Sequence, residues 1–269
     1  MTMPELPELD VIAEILTGRL AGLTVRRAVV HSHLVVYGVL PDILERRLTG
    51  RTIRHFRADG KFVIMETDSG FLVVNPMLTG RFRLTRHTHT PRPSDMLSLE
   101  LDDANLWYTD RKRMGRVYFV ESGDFSAVAG WDGRGPSAMD PELTLETFRS
   151  RIQHYNGQIK SVLRNQRFVK GIGNAYADEI LLYAGILPFR SRSSLSSEDV
   201  ERLYTAVRSV LGRYRALLAK RGLDKIGAEE RDFLMIHGKG GSICPLCGGR
   251  VSEVSSNRSK TSYCQTCQR

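Results

Sequence analysis

The sequence predicts an α+β protein: an antiparallel β-sandwich with one leading helix, then a helical domain, then a small four-cysteine zinc unit. Three observations carry this reading. Short β-rich runs fill residues 23–120; apolar spacing lengthens to 3.6 residues beyond a Gly- and Pro-rich stretch at 130–141; and Cys244-Pro245-Leu246-Cys247 is followed, sixteen residues later, by Cys264-Gln265-Thr266-Cys267. The domains expected are 1–130, 141–238 and 239–269.

A first helix is expected at 8–20, because Val11, Ile12, Ile15, Leu16 and Leu20 recur near helical spacing and Gly22 follows as a stop. Pro4 and Pro7 stiffen the chain entering it. Strands are expected at 23–30, 62–66, 71–75, 81–85, 96–101, 106–109 and 117–120, several joined by turns such as Asp68-Ser69-Gly70. The segment 87–93 reads as a loop, and 130–141 is the best domain boundary. Helices are then expected at 145–155, 159–165, 174–184, 197–220 and 229–236, the fourth opened by a capping box between Ser196 and Asp199.

With 39 Lys and Arg against 30 Asp and Glu, the chain carries a formal charge of +9, and its placement is uneven. Residues 151–269 hold 20 basic against 10 acidic side chains, whereas 1–150 hold 19 against 20. A basic second half beside a nearly neutral first half points to a nucleic-acid or other anionic surface as partner. No apolar stretch has membrane-spanning length and no export-signal pattern opens the chain, which predicts a cytoplasmic protein without a membrane partner.

The two C-x2-C knuckles use every cysteine of the chain. Four thiolates with no histidine and no open position describe one structural Zn2+ rather than a catalytic ion; two disulfides are the alternative, disfavoured without a secretory segment. Gly171-Ile172-Gly173-Asn174, between two helical segments, lets backbone amides approach an anion closely, though a tight helix connection uses the same residues. A third glycine and a βαβ context are missing, so it is no dinucleotide motif.

Pro4-Glu5-Leu6-Pro7-Glu8, the run 169–188 containing Gly171 to Glu179, and the terminal cysteines together resemble the formamidopyrimidine-DNA glycosylase and endonuclease-eight-like family along essentially the whole chain. The resemblance implies a β-sandwich with a leading helix, a helix-two-turn-helix domain and a zinc finger. It also implies a monomeric repair enzyme that everts a damaged base from double-stranded DNA, cleaves its glycosidic bond and nicks the strand. Oxidised purines are the expected substrates; oxidised pyrimidines, or lesion and abasic-site binding without catalysis, are the alternatives. The nucleophile would be the amine of Pro4, with Glu5 as acid and Lys61 as a cation near phosphate. Pro4 is internal as written, so this role requires a start at Met3 or later processing.

By the same resemblance Lys160, Asn174 and the amides around Gly171 and Gly173 would clamp phosphate, and Arg113 would approach the orphaned base. Met114, where relatives carry phenylalanine, and Leu78 would fill the void. The sequence departs from the family pattern at Asn75, where histidine is usual, and at Ser259, five residues before the third cysteine, where arginine is usual. Arg258 or Lys260 would take over there, and Lys239 stands where the pre-finger segment often has arginine.

Overall fold

The computed structural model describes residues 3–86, 90–222, 231–256 and 259–269. Two compact units emerge: one comprises the chain up to Asp132 and, among the described residues, 217–222, and the other Gly133–Ala216 and Arg231–Arg269. The four-cysteine segment belongs to the second unit rather than standing as a body of its own.

The first unit holds α1 (Leu6–Leu20), β1 (Arg27–Val30), α2 (Pro41–Leu48), β2 (Ile53–Asp59), β3 (Phe62–Thr67), β4 (Phe71–Asn75), β5 (Gly80–Thr85), β6 (Asp95–Glu100), β7 (Asn105–Asp110) and β8 (Arg116–Val120). These strands form two antiparallel sheets, ordered β2-β3-β4-β8 and β1-β6-β7-β5. Leu9, Ile12, Ala13, Leu16 and Leu20 bury one side of α1, and Thr17 Oγ1 accepts from Phe56 N–H at 2.7 Å, pinning the helix to β2. The helix starts two residues before the expected Glu8, because Pro7 in the first turn needs no N–H partner.

Periodicity did not reveal β2 or α2. β2 reads Ile-Arg-His-Phe-Arg-Ala-Asp and lies at a sheet edge with only Ile53 and Phe56 buried, so its apolar alternation is too thin to detect. In α2 only Leu44 and Leu48 are buried, one helical turn apart.

The second unit contains α3 (Leu145–Ile152), α4 (Ile159–Arg164), α5 (Asn174–Ala184), most of α6 (Ser197–Ala219), β9 (Val251–Ser256) and β10 (Ser259–Cys264). The Ser196–Asp199 capping box forms as expected: Ser196 N–H donates to Asp199 Oδ2 at 3.1 Å and Asp199 N–H to Ser196 Oγ at 3.2 Å. Part of the helix expected at 229–236 lies outside the described residues, and 231–236 is not helical. Its amides have another acceptor, the Glu179 carboxylate. Among the described residues no helix is long and apolar enough to cross a membrane.

Candidate nucleic-acid interface and four-cysteine centre

Pro4 and Glu5 lead into α1 and are both buried. Glu5 and Glu8 cap the helix reciprocally, with Glu5 N–H donating to Glu8 Oε2 at 3.1 Å, so the acid beside Pro4 is held by the helix it starts. α1 packs along β2 and β3, and the turn joining those strands carries the half-buried Lys61 after Gly60 at φ 62°.

Two loops of the same unit present the expected void-filling residues. Leu78 is half-buried and Met114 is 41% exposed, so Met114 is not a core residue. Asn75 Oδ1 accepts from Met77 N–H at 3.1 Å and shapes the first loop from within. Arg113 precedes Met114 with a left-handed backbone, and its guanidinium donates to Pro93 O at 3.3 Å.

In the second unit the residues expected to clamp phosphate also bond within the protein. Lys160 is 5% exposed; its ammonium pairs with the Asp178 carboxylate, 2.6 Å from Oδ1, and donates to Lys260 O at 2.9 Å and Thr261 Oγ1 at 2.9 Å. These partners all belong to the protein, and the lysine ties α4 and α5 to the β9–β10 hairpin. Asn174 has a similar duty, its Nδ2 donating to Lys260 O at 2.8 Å and its Oδ1 accepting from Ser259 Oγ at 2.9 Å. Gly171 N–H goes to Gln166 Oε1 at 2.9 Å, with φ 103°, a backbone conformation suited to glycine. Gly173 is the N-cap of α5. Lys239 is half-buried and Lys260 exposed; Lys239 Nζ donates to Asp232 O at 3.1 Å and Lys260 Nζ to Glu253 Oε1 at 2.9 Å. Arg258 lies outside the described residues.

Sequence reasoning missed the organising acids of this unit, Asp178 and Glu179, although both lie in the run that begins at Gly171. Their signal was two adjacent carboxylates in an otherwise apolar helix. Asp178 is fully buried and, besides Lys160, accepts from Ser262 N–H at 3.1 Å and lies 2.8 Å from His237 Nδ1. Glu179 Oε2 accepts from Tyr214 Oη at 2.5 Å and Met235 N–H at 2.8 Å, and Oε1 from the N–H groups of Ile236 and His237 at 2.8 and 2.9 Å. Burial first, then the Glu179 charge and hydrogen bond, hold the Tyr214 phenol protonated well above its ordinary range. Glu179→Gln is expected to destabilise the second unit by about 1–3 kcal/mol, because an amide NH2 then faces backbone N–H donors. Urea unfolding checks this; an unchanged midpoint would refute it.

The four thiols converge: their sulfurs all lie within 4.8 Å of one another. Cys247 and Cys264 sulfurs are 3.5 Å apart and those of Cys244 and Cys267 3.8 Å, far beyond a disulfide bond. Sulfurs about 2.3 Å from one tetrahedral ion stand about 3.8 Å apart, so the donor set fits zinc. The hairpin supplies one pair through the register Cys264↔Val251, and a tight turn supplies the other, with Gly248 N–H donating to Cys244 O at 2.9 Å. Burial opposes ionisation of Cys264, but hydrogen bonds from the Cys267 and Thr266 amides and the neighbouring thiols bring it down to about 7. Burial and the crowded sulfurs push Cys244 and Cys267 up. A divalent cation supplies the charge needed to hold several thiolates side by side.

Comparison with known proteins agrees with this architecture. Residues 3–117 match the formamidopyrimidine-DNA glycosylase N-terminal domain, and residues 134–222 match the formamidopyrimidine-DNA glycosylase H2TH domain. The formamidopyrimidine-DNA glycosylase of Bacillus anthracis is 30% identical over 282 residues, covering 99% of both chains. That of Symbiobacterium thermophilum is 30% identical over 276 residues, covering 99% of this chain and 89% of its own. The Lactococcus lactis enzyme non-covalently bound to DNA containing an abasic site superposes with TM-score 0.87 at 25% identity, covering 98% of this chain and 99% of that one. Its complex with DNA containing FAPY-dG gives TM-score 0.89 at 25% identity, with 98% and 100% covered. Two matched domains in order, a full-length relationship at 30% identity and a shared three-dimensional fold make this chain a member of the formamidopyrimidine-DNA glycosylase family.

Proposed function

We propose that this protein is a bifunctional DNA glycosylase and abasic-site lyase acting on oxidised purines, formamidopyrimidines and 8-oxoguanine among them. The observation carrying the reading is the full-length match to proteins named formamidopyrimidine-DNA glycosylase in a chain that opens α1 with Pro4-Glu5. Once free, the secondary amine of Pro4 attacks C1′ of the damaged nucleotide. The glycosidic bond breaks, its electron pair leaves with the base, and a proton neutralises the departing nitrogen. Breaking of the C1′–O4′ bond, with a proton passing to O4′, opens the sugar as an iminium. This acidifies C2′, where loss of a proton expels the 3′ phosphate, and loss of the C4′ proton then expels the 5′ phosphate by δ-elimination. Glu5 moves protons at the opened sugar, and Lys61 opposes the negative charge of the phosphate.

Arg113, Asn174, Gly171, Gly173, Lys239, Lys260 and Arg258 face the duplex in this reading, while Lys160 works through the hairpin it holds. Cys244, Cys247, Cys264 and Cys267 would hold one Zn2+, which supplies rigidity and no chemical step. The protein acts as a cytoplasmic monomer on double-stranded DNA. A second reading, a lesion-binding relative without catalysis, applies wherever Met1–Thr2–Met3 remain attached, because the Pro4 nitrogen is then an amide. Nicking of duplexes bearing 8-oxoguanine, a formamidopyrimidine, an oxidised pyrimidine or an abasic site tests the proposal. Purine-lesion and abasic strands should be cut. Preference for the pyrimidine lesion would reassign the substrate, and retention of abasic duplex without nicking would establish the binder.

A further inference from the structure

The two loops that carry Leu78 and Met114 share one construction. Leu78 comes after Met77, at φ 49°, and Met114 after Arg113, at φ 52°; these are the only non-glycine residues with positive φ among those described. A left-handed backbone is unfavourable for both residue types, so surrounding structure must hold each loop in place. The residue immediately after each tip is bonded to the same holder. Thr79 donates its hydroxyl to Asp110 Oδ1, and Gly115 donates its N–H to Asp110 Oδ2 at 2.7 Å.

Asp110 ends β7 and is fully buried. The register of β5 on β7 sets Gly80 opposite Asp110, which brings Thr79 to the carboxylate. Lys112 N–H completes the knot, lying 3.1 Å from Asp110 Oδ1 and 3.0 Å from Thr79 Oγ1. One carboxylate therefore bonds both loops, two oxygens serving two different segments. A charged acceptor makes these bonds stronger than neutral ones.

Tyr108 closes the space between the same loops. A methyl group on Gly115 would lie 1.8 Å from Tyr108 Oη, and one on Gly80 would lie 2.5 Å from it and 2.4 Å from Pro76 O. Both loops are thus drawn against the phenol to a distance that only glycine permits. The Tyr108 hydroxyl has no hydrogen-bond partner among the described residues, and burial, then the Asp110 charge, keep it protonated. It serves as a spacer.

We propose that Asp110 is a positioning residue that joins the two loops into one rigid wedge with two tips. Leu78 and Met114 then enter the space of an everted base at a fixed separation, as a unit rather than as two independent side chains. Rigid presentation removes the ordering cost that two mobile loops would meet on entering DNA. This inference rests on the reading that the protein everts a damaged base.

The test places 2-aminopurine beside 8-oxoguanine and monitors its fluorescence in stopped flow, with lesion excision and abasic-duplex nicking measured in parallel. In Asp110→Asn, eversion and lesion excision are expected to slow about tenfold or more, while nicking of an abasic duplex, which has no base to displace, changes less than about threefold. Thr79→Val should show the same pattern more weakly, and Thr79→Ser should restore the parent rates. Leu78→Ala and Met114→Ala should be non-additive in the parent and additive in Asp110→Asn. Should Asp110→Asn fail to fold, the two Thr79 variants carry the decision. Unchanged eversion in Asp110→Asn, or equal losses on lesion and abasic substrates, would overturn the coupling while leaving the enzymatic reading intact. A parent protein that neither perturbs the probe nor excises the lesion would overturn both.

Discussion

A protein whose chain begins at Pro4 is expected to be trapped by borohydride on a duplex with one abasic site, and the chain retaining Met1–Thr2–Met3 is not. The difference is electronic. In the longer chain the Pro4 nitrogen is a tertiary amide whose lone pair is delocalised into the carbonyl of Met3; freed, it is a secondary amine able to form an iminium that borohydride reduces. The trapped fraction should differ by roughly a thousandfold or more, as for loss of a nucleophile. The capping of α1 does not depend on the residues before Pro4, because Glu5 is the N-cap and the Glu5–Glu8 exchange starts at the Glu5 amide. Peptide mapping decides the assignment: an adduct on any lysine instead of Pro4 would remove the proline mechanism. Equal trapping of both chains would do the same.

Loss of the metal is the second large effect. The hairpin contributes Cys264 and Val251 to a small apolar core with Leu182, Ile236 and Cys244, and Lys160, Asn174 and Asp178 bond to its backbone. Without the ion the crowded sulfurs no longer hold this packing, since structural zinc contributes on the order of 10 kcal/mol to folding of such units. A chelator should act first at Cys247, the exposed ligand. One zinc per chain should be released, and affinity for abasic duplex should fall about tenfold or more as Lys260 and its neighbours lose their placement. The sandwich, whose sheets involve no cysteine, should keep its unfolding transition. Cys264→Ser should reproduce the effect without chelator. Undiminished DNA affinity in the metal-free protein would show that the finger does not contact DNA.

Local chemistry determined much of this protein from its sequence. The paired C-x2-C spacing marked the sulfur cluster, the change from two-residue to 3.6-residue spacing marked the passage from sandwich to helices, and Ser196 with Asp199 marked the start of α6. The motifs that signalled the family are likewise contiguous runs. Each of these signals involves residues within a few positions of one another, or ligands whose geometry the spacing reports.

Tertiary structure decided what depends on distant partners. Lys160 anchors the hairpin because Asp178 and the strand at Thr261 surround its ammonium. Residues 231–236 are not helical although their apolar pattern allowed a helix; Glu179, more than fifty positions earlier in the chain, accepts the amides of Met235 and Ile236. Asp110 joins two loops, one bonded to it at Thr79, thirty-one residues earlier, and the other at Gly115. A buried carboxylate must find donors, and the sequence alone shows only that the carboxylate is there. Which segments deliver those donors depends on strand register and helix packing, through interactions that link residues far apart along the chain.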